Sequence, residues 1–151
     1  MAIVTVGELL DRGHEFELRL EKYYGEIRDR ATDNGVRLLT YYLARHRRHQ
    51  ERALKDLPRG VVQHVRMVEL KFDISFDPEK NFHLLKAPPK TVAGDQLLQA
   101  AIGYNGELTA LYRAILEQPV DDNARPVLEA LLRVEERDIV MLKKMLAMHY
   151  F

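Results

Sequence analysis

Glu17, His46, His49 and Glu136 are the residues of this chain whose types and spacing could do chemistry. Carboxylate and neutral imidazole together suit a divalent transition ion such as iron, zinc or manganese. His46 and His49 are separated by one helical turn and so share a face; Glu136 and Ile139 repeat that spacing near the other end, with an alkyl group in the second place. Asn105 joins the set by its position in an internal repeat described below. An ionised carboxylate in a helical core is costly unless it is paired, metal-bound or protonated, so an inward Glu17 demands a partner. Two solutions are open: a single divalent metal ion, or no metal, with imidazole and carboxylate satisfying one another through hydrogen bonds.

Four amphipathic stretches would have to position these groups. Helix 1 is predicted from about Val6 to Ala31, with Thr5 and Glu8 in capping-box spacing. Leu10, Gly13, Glu17, Leu20, Tyr24 and Ile27 fall on one face, so Glu17 interrupts an apolar stripe. Helix 2 is predicted over 34–57 after the Asp33-Asn34-Gly35 turn signal and before Pro58, with Leu39, Tyr42, His46, His49 and Ala53 inward. Residues 58–90 hold four of the six prolines and form a long crossover. Within it Val68, Leu70, Phe72, Ile74 and Phe76 alternate with polar residues, the period of a half-buried strand. Such a strand would lie on the helices with its apolar side down or pair with the same segment of a second subunit, the latter favouring a homodimer. Helix 3 is predicted from about Val92 to Glu117, capped by Thr91, and helix 4 from about Pro126 to Met148, with proline in its first turn.

Helices 1 and 3 carry nearly the same face. Phe16-Glu17, Leu20, Tyr23-Tyr24 and Ile27 recur as Tyr104-Asn105, Leu108, Leu111-Tyr112 and Ile115, and only Glu17 to Asn105 changes chemical character. Each copy is followed by a helix carrying the paired positions, 46 and 49 or 136 and 139, so the chain reads as a duplicated helical hairpin. In this it resembles the rubrerythrin branch of the ferritin-like superfamily. The resemblance implies an all-α, four-helix bundle with a long crossover between helices 2 and 3, spanning residues 1–151 as a single domain. It also implies a di-iron ligand set of one Glu from each of two helices and Glu-x-x-His from each of the other two. Glu17, His49 and Glu136 match that set, whereas His46 and Asn105 replace Glu and Ile139 replaces His. Two irons need more carboxylate than this leaves. The resemblance therefore implies a degenerate di-iron site, in a non-catalytic scaffold or a single-metal-binding protein, with peroxide, oxygen or ferrous-iron oxidoreduction through a remodelled site as the alternative.

Composition narrows the remaining classes. The 151 residues contain 23 basic and 23 acidic side chains, so no net field favours nucleic acid or anionic lipid. Arg45, Arg47, Arg48 and Arg52 read as a solvated face balanced by Glu21, Glu26 and Glu51. Zero cysteines exclude disulfides, thiol catalysis and thiolate metal sites, including the rubredoxin-type iron centre of rubrerythrins proper, so any redox role would need an outside electron donor. The N-terminal residues have no signal-peptide pattern and no run is long enough to span a bilayer, which predicts a cytoplasmic protein without a membrane partner. His14 reads as solvated at the edge of the helix 1 face, and Tyr24 and Tyr112 as core.

Overall fold

The computed structural model describes residues 3–80 and 92–148, without the side chains of His46, Arg47 and Glu79. The described residues are predominantly helical, in keeping with an all-α chain: β1 (Val4–Thr5), α1 (Val6–Arg30), α2 (Asn34–Ala44), α3 (His46–Lys55), α4 (Arg59–Met67), β2 (Glu69–Leu70), a 3₁₀ turn at Pro78–Lys80, α5 (Gly94–Glu117) and α6 (Arg125–Met148). The proposed cap at Thr91 and the crossover residues 81–90 lie outside the described residues.

Local chemistry sets the helix ends. Thr5 Oγ1 accepts from Glu8 N at 3.2 Å and Asp33 Oδ1 accepts from Gly35 N at 2.7 Å, satisfying amides that no helical carbonyl reaches. Asp121 takes the amides of Asn123 and Ala124 at 3.0 and 2.8 Å just ahead of α6. Its carboxyl is held below the ordinary value of 3.8, first by the Ala124 amide and then by His64, which reaches it from α4 at 2.7 Å.

The helices run in two senses, and specific pairs show which. Gly13 faces Leu108 and Leu111, and Phe16 stacks edge-on against Tyr104 at 5.8 Å, so numbers rising along α1 meet numbers falling along α5. Arg28 bonds Thr40 at 3.1 Å while Tyr24 and Leu43 line one cavity, which makes α1 and α2 antiparallel. Arg113 reaches Glu136 at 3.3 Å and Arg125 reaches the Leu116 carbonyl at 3.3 Å, and α5 and α6 are antiparallel as well. Hence α1 and α6 point one way, and α2, α3 and α5 the other. The crossover makes this possible by returning the chain to the end from which α2 started.

Two expectations need correction. Helix 2 is not continuous: Arg45 N bonds Tyr42 O at 3.2 Å, a tightened three-residue turn, before α3 resumes at His46. The strand predicted over Val68–Phe76 shrinks to Glu69–Leu70, which pairs antiparallel with Val4–Thr5 of the same chain. Beyond Leu70 the main chain is held by a side chain: Gln118 donates Nε2 to Phe72 O at 2.7 Å and accepts Phe72 N at 2.9 Å. The alternating pattern instead lays Val68, Leu70, Ile74 and Phe76 against the helices, while Phe72 stays exposed. The crossover also contains α4, which crosses α1 so closely that a Cβ on Gly7 would sit 2.8 Å from Arg66 O. Among the described residues, no helix is long and apolar enough to cross a membrane.

Candidate functional site

The core is apolar above and below a polar layer contributed by α1, α3, α5 and α6. From α1 comes Glu17, 3 % exposed and flanked by buried Phe16 and Leu20. From α5 come buried Asn105, whose carbonyl accepts Thr109 Oγ1 at 2.9 Å, and buried Tyr112. From α3 comes Gln50, 9 % exposed, and from α6 comes Glu135, 0 % exposed. Gln50 Nε2 donates to Tyr112 Oη at 3.0 Å and to Glu135 Oε1, joining three helices through one amide group. Burial raises the Tyr112 hydroxyl far above its ordinary value, the negative charges of Glu135 and Glu17 add to that, and the Gln50 bond opposes it. Both carboxylates are therefore close enough to act on the same phenol.

Toward the surface a second pair joins α3 to α6: His49 Nδ1 lies 3.2 Å from Asp138 Oδ2, with the His49 side chain 41 % and that of Asp138 14 % exposed. Glu17, Asn105, His49 and Asp138 line one cavity of about 30 Å³, together with Tyr24 and Tyr42. Tyr42 is raised by burial and then by the Asp138 charge. A cavity of that size holds about one water or one ion.

Of the residues singled out in the sequence, Glu17 and Asn105 are both buried and line this cavity. His49 lines the cavity, though half in solvent rather than deep in the core. His46 supplies the first residue of α3, and its side chain lies outside the described residues. Glu136 does not belong to the layer: it is partly exposed and bonded to Arg113 at 3.3 Å. The inward carboxylates of α6 are Glu135 and Asp138, so the polar pair on this helix is Glu135-x-x-Asp138 and the place read as Ile139 is taken by a carboxylate. The buried row Leu128, Leu131, Glu135 and Leu142, with Asp138 between, has regular helical spacing and was the signal for this register. Gln50 was missed for the same kind of reason, since the motif drew the inward face of α3 through His49.

Among the described side chains, this donor set does not fit a di-iron centre. Asn105 and Gln50 are neutral, the Gln50 amide donates to Glu135 Oε1, and Asp138 is engaged by His49. Among the described residues no three His, Asp or Glu side chains are grouped so as to hold a metal ion. No family model, curated protein or solved structure matches the chain.

Proposed function

We propose that this protein is a ferritin-like four-helix bundle, similar to the rubrerythrin branch, in which the layer that would hold two irons has become a hydrogen-bonded network, and that it acts as a non-catalytic binding protein or scaffold. The supporting observation is Gln50: one neutral amide joins Glu135 and Tyr112 within the buried polar layer. The paired senses of the helices, with a crossover between the two hairpins, support the ferritin-like reading.

The test is metal content and ferrous oxidation of purified protein. The expected result is no stoichiometric iron and no oxo-bridged di-iron absorption after iron loading; two irons per chain with rapid ferrous oxidation would overturn the reading. The register of α6 also decides which substitutions would rebuild a di-iron ligand set. On α6 the imidazole of such a set would come from Asp138→His beside Glu135, whereas Ile139→His would place it beside the layer.

A second reading, one divalent ion, would need Glu17, His49 and Asp138, which line the same small cavity from three helices, to draw together, since they are not grouped as a metal site in this structure. One equivalent of zinc or manganese retained through dialysis, and lost in Asp138→Asn, would select it.

A further inference from the structure

Glu17 has a second cavity on its other side. It is about 280 Å³, lies between α1, α3, α4 and α6, and has no lining residue in common with the smaller cavity except Glu17. Its walls are aliphatic: Leu10, Leu54, Val62, Val65, Val127 and Leu131. Its polar lining is Glu17, Gln50 and Tyr112 from the layer, joined by Asp11, His14, Glu51 and Arg66, so carboxylates outnumber the basic groups. The volume is just below the ~300 Å³ lower end of small-molecule sites, so the occupant is smaller than a drug.

The hydrogen-bond inventory determines the chemistry of that occupant. Both amide hydrogens of Gln50 are used on Tyr112 and Glu135, which leaves its carbonyl oxygen as the acceptor it can still offer. Glu17 is an acceptor when ionised, and Glu135 lies behind Gln50. Arg66, the cation in the lining, is engaged at the rim by Asp11 through two bonds of 3.0 and 2.9 Å. An apolar chamber ending in acceptors and negative charge favours a ligand with an aliphatic body and a cationic donor at one end, because low dielectric strengthens the attraction. It disfavours the matching carboxylate by the same field.

We propose that the larger cavity binds a small primary alkylamine, with its alkyl chain among the α3, α4 and α6 side chains and its ammonium group toward Glu17 and Gln50. This site shares Glu17 with the smaller cavity and so rests on the metal-free reading of the layer; metal analysis of the same protein sample tells failure of that reading from failure of this proposal.

The experiment is calorimetric titration of the intact protein with hexylamine, hexanol and hexanoate at neutral pH, followed by the tyrosine ring resonances in NMR. Hexylamine should bind saturably and shift Tyr112, hexanol should bind at least tenfold more weakly, and hexanoate should not bind. Glu17→Gln should reduce the affinity for hexylamine at least tenfold while leaving that for hexanol within about twofold, and Val62→Trp should remove both. Equal affinities for amine and alcohol, or no saturable amine binding by the folded wild-type protein, would overturn the proposal. The three-probe comparison needs no variant, so a Glu17→Gln protein that failed to fold would not rescue it.

Discussion

The α1–α5 interface and the α3–α6 interface do the same structural task with different chemistry. Across α1 and α5, aromatic rings and leucines interlock: Phe16 and Tyr23 both meet Tyr104 edge-on, at 5.8 and 6.4 Å, and Gly13 makes room for Leu108. Across α3 and α6 the deepest contact is an amide on a carboxylate, and the next outward is an imidazole on a carboxylate. Burial and shape fix the first interface, so many nearby registers are ruled out by volume alone. The second is fixed by a few directional bonds, each of which fails if its partner is removed.

Truncating the first interface should have the largest effect. Tyr104→Ala removes a fully buried ring and should cost about 4 kcal/mol in chemical denaturation. A loss below about 1 kcal/mol would mean that the ring packing does not hold α1 to α5.

Breaking the second interface on one side should come next. Gln50→Leu leaves the Glu135 carboxylate without the amide and should cost about 2–3 kcal/mol, whereas Gln50→Leu with Glu135→Leu should recover most of the loss. A double variant no better than the single one would show that the two residues are not energetically coupled.

The aromatic side should also limit stability in alkali. Burial raises Tyr23 to about 12 from its ordinary value of 10. The stabilisation from keeping this phenol neutral is complete below pH 10 and is lost as the pH rises from 10 toward 12. Phenolate absorbance should therefore appear together with loss of helical signal in that window, and Tyr23→Phe should move the midpoint upward. Ionisation well before unfolding would contradict the buried setting.

The smallest effect belongs to the outer pair. His49→Ala should cost less than about 1 kcal/mol, because the imidazole is partly solvated and its interaction with Asp138 is screened. A much larger loss would place His49 in a deeper role than its exposure supports.

How much of this was readable in the sequence follows the same division. The face of α1 and its copy on α5 contain large apolar residues at every turn, so the positions of Glu17 and Asn105 could be inferred from periodicity. The run from Arg45 to Arg52 contains no apolar anchor, and the tight turn at Arg45 shifts the helix phase, so nothing local distinguished His49 from Gln50 as the deeper residue. On α6 the leucine spacing points to Glu135, whereas adjacent Glu136 fits the Glu-x-x-His spacing that the resemblance implies. The helix α4 was hidden by its valines, which favour strands until Val65 is buried against α1. The alternation from Val68 to Phe76 was real, but it reflected which side faces the helices rather than which strand it pairs with.

The pairing of Val4–Thr5 with Glu69–Leu70 has a kinetic consequence. Its two halves are far apart in the chain and only two residues long, and Val6 N extends it by bonding Val68 O at 2.9 Å. Contacts of this kind close after the local helical hairpins have formed and reopen before they melt. The pairing is a latch on α4, which carries Val62 and Val65 in the wall of the larger cavity. Amide exchange at Val6 and Leu70 should then be faster than at Leu108 and Leu128, and its opening rate sets an upper limit on how quickly a molecule can enter by displacing α4.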